Sequence, residues 1–137
     1  MPGYRRILVA LDFSESNTHT LAVAVDLAVA FQAQLHLGHI VPLSGLGELE
    51  AQAAMAAVAV PGPAGLVASR TVSRALSPDL GLLQLARERG IDLIAMGTHG
   101  RSGLAHIRLG STAARVVEHS IVPVLTVRDP RYRFERP

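Results

Sequence analysis

A chain of 137 residues is the length of one α/β domain with a sizeable core. Apolar residues make up 49% and aromatics 4%, so Ala, Val, Leu and Ile must build that core, and the lack of Cys excludes disulfides and thiolate metal sites. All 13 basic residues are Arg and the net charge is +2, which removes Walker-loop, Schiff-base and kinase chemistry, each of which needs a Lys, and gives no electrostatic case for nucleic acid.

The first strand is expected over Arg6–Leu11, a continuous apolar run ended by Asp12. That run is too short for a signal-peptide core, and no other approaches the ~18–20 residues of a membrane helix, so a soluble, cytoplasmic protein is expected. Ser14 is the expected cap of a helix reaching about Gln32, with Leu21, Val25, Ala28 and Val29 on its inner face. Gln34–Val41 reads as the second strand, stopped by Pro42. Glu48–Val60 fits an Ala-rich helix that covers the sheet and halts at Pro61-Gly62-Pro63. Leu66–Ser73 alternates and is less apolar, the pattern of an edge strand. Ser77-Pro78-Asp79 starts a third helix, and Gly90 is its expected C′ glycine. Ile91–Met96 reads as the fourth strand, Ser111–Ser120 as the fourth helix and Val124–Val127 as the fifth strand. Residues 128–137 form an Arg-rich tail; Asp129 and Glu135 interrupt its basic run, so a mobile terminus is preferred to RNA contact.

This alternation implies a parallel sheet with helices on both faces, and a ligand crevice beyond the strand C-termini where strand order reverses. Residues 97–112, between the fourth strand and the fourth helix, read Gly-Thr-His-Gly-Arg-Ser-Gly-Leu-Ala-His-Ile-Arg-Leu-Gly-Ser-Thr. Glycines at 97, 100 and 110, with Ser111 after the last, suit a loop whose amides surround a phosphate, the missing β-carbons allowing close approach and positive φ. Arg101 can neutralise an outer phosphate with its planar fork; Arg108 is a weaker candidate, and Gly103 falls outside the pattern. Asp12, at the tip of the first strand, can accept a hydrogen bond from ribose or adenine or hold a divalent ion through water; otherwise it orders the turn. Of the six His, His36 and His39 face opposite ways along one strand, and no pair has a carboxylate at ligand spacing, so no protein metal site is expected. His99 reads as a turn-stabilising side chain.

The chain resembles the universal stress protein family, in its nucleotide-binding branch, through three segments: Asp-Phe-Ser-Glu at 12–15, His-Ile-Val at 39–41, and Met-Gly-Thr-His-Gly from Met96. The last opens a Gly-x-x-Gly, nine-residue, Gly-Ser pattern formed by Gly97, Gly100, residues 101–109 and Gly110-Ser111. The resemblance covers nearly the whole chain. It implies a doubly wound five-stranded parallel sheet in the order 3-2-1-4-5 over residues 1–137. It also implies ATP, ADP or AMP in the crevice, with Mg or Mn as a companion ion, and a homodimer through Val124–Val127. By matched position the phosphates lie against Gly97, Gly100, Gly110, Ser111 and the Thr112 backbone. The adenosine end lies near Ala10, Asp12 and Ile40, and Met96 flanks the first glycine. Phe13 stands where some members carry Gly, the turn before Pro78 lacks a Gly often seen there, and the short segment between strands two and three leaves the outer wall of the crevice undefined. The implied function is a stress-responsive, nucleotide-dependent regulator. Alternatives are a slow Mg-dependent ATPase and a dimeric interaction module that needs no nucleotide. With neither a Lys clamp nor a general base beside the phosphates, no catalytic residue is assigned.

Overall fold

In a computed structural model, the structure describes residues 3–98 and 109–130. The elements run β1 (Arg6–Ala10), α1 (Ser16–Phe31), β2 (Gln34–Pro42), α2 (Glu48–Ala57), β3 (Val67–Ala75), α3 (Pro78–Glu88), β4 (Leu93–Gly97), α4 (Ser111–His119) and β5 (Val124–Val127). The five strands form one sheet in the order β3-β2-β1-β4-β5, and every neighbouring pair is parallel. The sheet order expected from the family resemblance is the one observed. The switch point falls between β1 and β4, because the chain adds β2 and β3 on one side of β1 and β4 and β5 on the other.

Alternation along β1 explains the layers. Ile7 and Val9 point to one face and pack with Leu21, Ala24, Val25 and Ala28 of α1 and Met55 of α2. Leu8 points to the other and packs with Leu82, Leu85 and Ala86 of α3 and Ala113 and Val116 of α4. Ile7, Leu8 and Val9 are all fully buried, as a central parallel strand covered on both sides requires. Two glycines let α3 press onto β2. A β-carbon at Gly81 would sit 2.7–2.8 Å from three side-chain atoms of Ile40, and one at Gly38 would sit 2.7 Å from Leu85. That close approach carries the N-terminus of α3 over the end of the sheet.

Several local expectations are corrected. Val29 is 52% exposed, and Ala24 takes its place on the inner face of α1. The helix over 48–60 stops at Ala57, where Val58 turns extended ahead of Pro61; Ala51 and Met55 nevertheless cover the sheet as expected. Ser14 does not cap α1. The N-cap is Glu15, without a side-chain cap bond. Gly90 behaves as expected: its φ is +63°, and Ile91 N–H returns to Ala86 C=O at 2.9 Å.

The N-terminal end of the sheet is tied off. Both oxygens of the Asp92 carboxylate accept main-chain N–H groups, from Arg5 at 2.9 Å and Arg6 at 3.1 Å. Arg6 Nη1 donates to the Arg89 carbonyl at the end of α3. Among the described residues, no helix is long and apolar enough to cross a membrane.

Candidate functional site

The C-terminal end of the sheet is built differently, because its strands stop at different heights. β2 has nine residues and β1 five, and their register ends at Ala10 opposite Gly38. One further bond, Leu11 N–H to Gly38 C=O at 2.8 Å, closes the ladder. Gln34 N–H donates to Arg5 C=O and Gly38 C=O accepts from Leu11, so even-numbered residues of β2 turn their backbone groups toward β1. Ile40 is the next in that series and lies past the end of β1. Its N–H and C=O have no partner on that side among the described residues.

Beyond Leu11 the chain turns sharply away. Phe13 is left-handed at φ +63°. Asn17, in the first turn of α1, accepts both Asp12 N–H at 3.0 Å and Phe13 N–H at 2.7 Å through Oδ1. Asp12 Oδ1 accepts Ser14 N–H at 2.9 Å, an Asx turn, so the turn-ordering alternative for this carboxylate is realised, with the residue also on the cavity wall. His39 reaches over from β2 to bond Leu11 C=O through Nδ1 at 2.7 Å. Its ring lies 4.5 Å from that of Phe13.

On the other side of the switch point, Gly97 ends β4 opposite Val127 of β5. Thr98, which is buried, donates its N–H to Val127 C=O at 3.2 Å and accepts Gly110 N–H at 2.6 Å. This clasp returns the chain to the sheet at the start of α4. Gly110 is the N-cap at φ −59°, ψ 158°, a conformation open to any residue; the expectation of positive φ is not met there. Its amide is also spent on Thr98, so Gly110 offers space rather than a donor. The first intrahelical bond is Ala114 N–H to Gly110 C=O. Ser111, Thr112 and Ala113 therefore keep main-chain N–H groups with no intrahelical acceptor, and no side chain among the described residues caps them.

These parts enclose a cavity of about 250 Å³, near the lower end of small-ligand pockets at roughly 300 Å³. Of the candidate residues, Ala10, Asp12, Ile40, Met96, Gly97, Gly110, Ser111 and Thr112 line it together. Gly100 and Arg101 lie outside the described residues, as do His99, Gly103 and Arg108. Sequence reasoning missed Asn17, His39, Pro78, Leu82 and Thr98 on the walls. Pro78 begins α3 and Ser111 begins α4, so two positive helix ends converge on one space. Outside the cavity, Arg74 ties down the turn after β2: its Nη1 donates to the carbonyls of Pro42, Leu43 and Gly45 while Nε sits 3.3 Å from Glu48. Asp129, grouped with the tail from its sequence, is 6% exposed and accepts from Ser16 Oγ at 2.8 Å, docking the chain after β5 onto the start of α1. Residues 131–137 lie outside the described residues.

His36 sits elsewhere. It occupies the α3 face of β2, bonded to Ser69 Oγ at 2.7 Å through Nδ1. Burial, then Arg89 and Arg6, push its pKa below the ordinary value. Among the described residues no group of three His, Asp or Glu could hold a metal ion.

The family model for the universal stress protein family matches residues 3–128. A universal stress protein of Methanocaldococcus jannaschii is 29% identical over 143 residues, covering 93% of this chain and 84% of its own. The structure of the universal stress protein UspA from Lactobacillus plantarum superposes with a TM-score of 0.72 at 25% identity, covering 93% of this chain and all of that one. A universal stress protein solved in complex with cAMP gives a TM-score of 0.65 at 26% identity, covering 93% and 99% of the two chains.

Proposed function

This chain belongs to the universal stress protein family, and we propose that it binds ATP or a related adenine nucleotide in the cavity between β1 and β4 and acts as a nucleotide-dependent regulator. The observation that carries this is the pairing, in one cavity, of an open backbone edge at Ile40 with an N-terminus of α4 that no side chain among the described residues caps. Adenine presents an acceptor, N1, beside a donor, the 6-amino group. The Ile40 N–H and C=O offer the complement. Guanine and hypoxanthine present the reverse pattern, and leave both backbone groups mismatched. At the other end the N–H groups of Ser111, Thr112 and Ala113 suit the phosphates. Hydrogen bonds to a charged group contribute about 1.5–3 kcal/mol each, more than the ~0.3–1 kcal/mol of an exposed helix dipole. Ala10 and Met96 flank the base and ribose, and Gly97 and Gly110 leave room for the phosphate chain; Gly100 and Arg101 complete it by their matched positions. A Mg or Mn ion carried by the triphosphate would meet one carboxylate on the wall, that of Asp12. The relative solved with cAMP supports an adenine ligand.

The titratable groups on the described walls already serve the fold. Asp12 Oδ1 orders the turn to Ser14, and His39 Nδ1 holds Leu11 C=O. This favours a binding protein over an ATPase. The whole chain then works as one cytoplasmic nucleotide-binding unit that pairs with a second copy through the free edge of β5. Calorimetry of purified protein against ATP and ADP tests the assignment. Binding is expected in the wild type and lost in Gly110→Leu, whose backbone conformation suits Leu while the side chain fills the phosphate space. No heat with either nucleotide in the wild type would overturn it.

A further inference from the structure

We propose that His39 is a positioning residue that holds the β1–β2 ladder one bond short and so keeps the base end of the cavity open. The consequence for a ligand rests on the nucleotide assignment above; the effect on the sheet does not. Continued by one step, the ladder would send Ile40 N–H to Leu11 C=O, since Leu11 already faces β2 through its N–H bond to Gly38. That bond is not made. Leu11 C=O instead accepts from His39 Nδ1 at 2.7 Å. A carbonyl only accepts, so Nδ1 carries the proton.

The neighbouring residues act the same way. The Phe13 ring lies against the imidazole at 4.5 Å and an interplanar angle of 39°, which fixes the ring that makes the bond. Phe13 itself is left-handed, and Asn17 holds the Asp12 and Phe13 amides turned away from β2. A left-handed non-glycine residue persists only where its surroundings over-determine it. Here the imidazole and the Asn17 side chain both end the strand at Leu11, and the Ile40 backbone pair is left facing the cavity. A His satisfied by a chance carbonyl would leave Ile40 indifferent to its removal; a positioning His would not.

Hydrogen exchange on ligand-free protein tests the sheet. In the wild type the Ile40 amide should exchange far faster than that of Gly38. In His39→Leu, Leu11 C=O is released to Ile40, and the Ile40 amide should slow at least tenfold. His39→Asn places an N–H donor at the same bond distance from Cα as Nδ1, should keep Ile40 fast, and serves if the Leu variant folds poorly. ATP and ITP affinities test the consequence: His39→Leu should lose at least tenfold in its preference for ATP over ITP, His39→Asn should retain that preference, and tripolyphosphate should bind all three alike. An Ile40 amide already protected in the wild type, or unchanged in His39→Leu, overturns the proposal whatever nucleotides do. An amide that slows in His39→Leu, in a protein whose wild type binds neither ATP nor ITP, upholds the role in the sheet and overturns the nucleotide assignment instead.

Discussion

The two ends of the sheet differ in how they treat main-chain hydrogen bonds. At the N-terminal end, a carboxylate from the β4 approach caps the amides of Arg5 and Arg6 where β1 begins, and α1 and α3 close on the left-handed Gln32 and Gly90. At the C-terminal end, β2 outruns β1, and α4 starts on three amides that no acceptor among the described residues takes up. Buried or half-buried donors are nearly always satisfied in folded proteins. An end that closes its own groups is scaffold; under the proposed function, the open groups of the other end find their partners on the ligand.

The sharpest way to separate the ends is to remove one residue's donors at the head of α4, its main-chain N–H and its hydroxyl together. Ser111→Pro does this. Ser111 is the first residue of α4, where Pro is tolerated, and Gly110 already holds the extended conformation a residue before Pro requires. ATP affinity should fall about 10–100-fold, from about 1.5–3 kcal/mol for a charge-assisted bond, with thermal stability nearly unchanged. Equal affinity in calorimetry would break the contrast. At the closed end, Asp92→Ala should cost about 1–2 kcal/mol of stability in urea unfolding, since two amides lose their acceptor, and leave nucleotide affinity alone. The smallest effect is electrostatic. With its folded pKa held below the ordinary 6.5 by burial, Arg89 and Arg6, His36 resists protonation in the native state but not in the unfolded chain. Its contribution to stability is complete above pH 6.5 and is lost as pH falls toward the folded pKa. Arg89→Gln should move the His36 resonance titration upward, toward the ordinary range, and make that loss slightly shallower.

Much of this was legible in the residues. Apolar runs mark β1, β2, β4 and β5, alternation marks β3, Gly90 marks the end of α3, and the spacing of Gly97 and Gly110-Ser111 marks one end of the cavity. What the pattern could not carry was strand length. Gln34–Val41 and Arg6–Leu11 both read as buried runs, and nothing in periodicity says that the ladder between them closes at the bond from Leu11 to Gly38. Asn17 was obscured for a related reason: its side chain works backward, onto Asp12 and Phe13, while the preferred cap Ser14 lay nearer the expected helix start. Asp followed by Asn five residues later was the available signal. Val29 failed because an apolar residue at helical spacing need not be covered when the stripe is already filled by Ala24 and Ala28.

A main-chain amide does not titrate anywhere near neutral pH, and it cannot be acetylated or exchanged for a different residue type. The three at the head of α4 therefore present the same field toward an anion at every physiological acidity, and no point mutation short of Pro erases one. On the proposed nucleotide reading, occupancy set by such groups would follow the ligand's own concentration and ionisation, and the protein would behave as a gauge with a fixed scale.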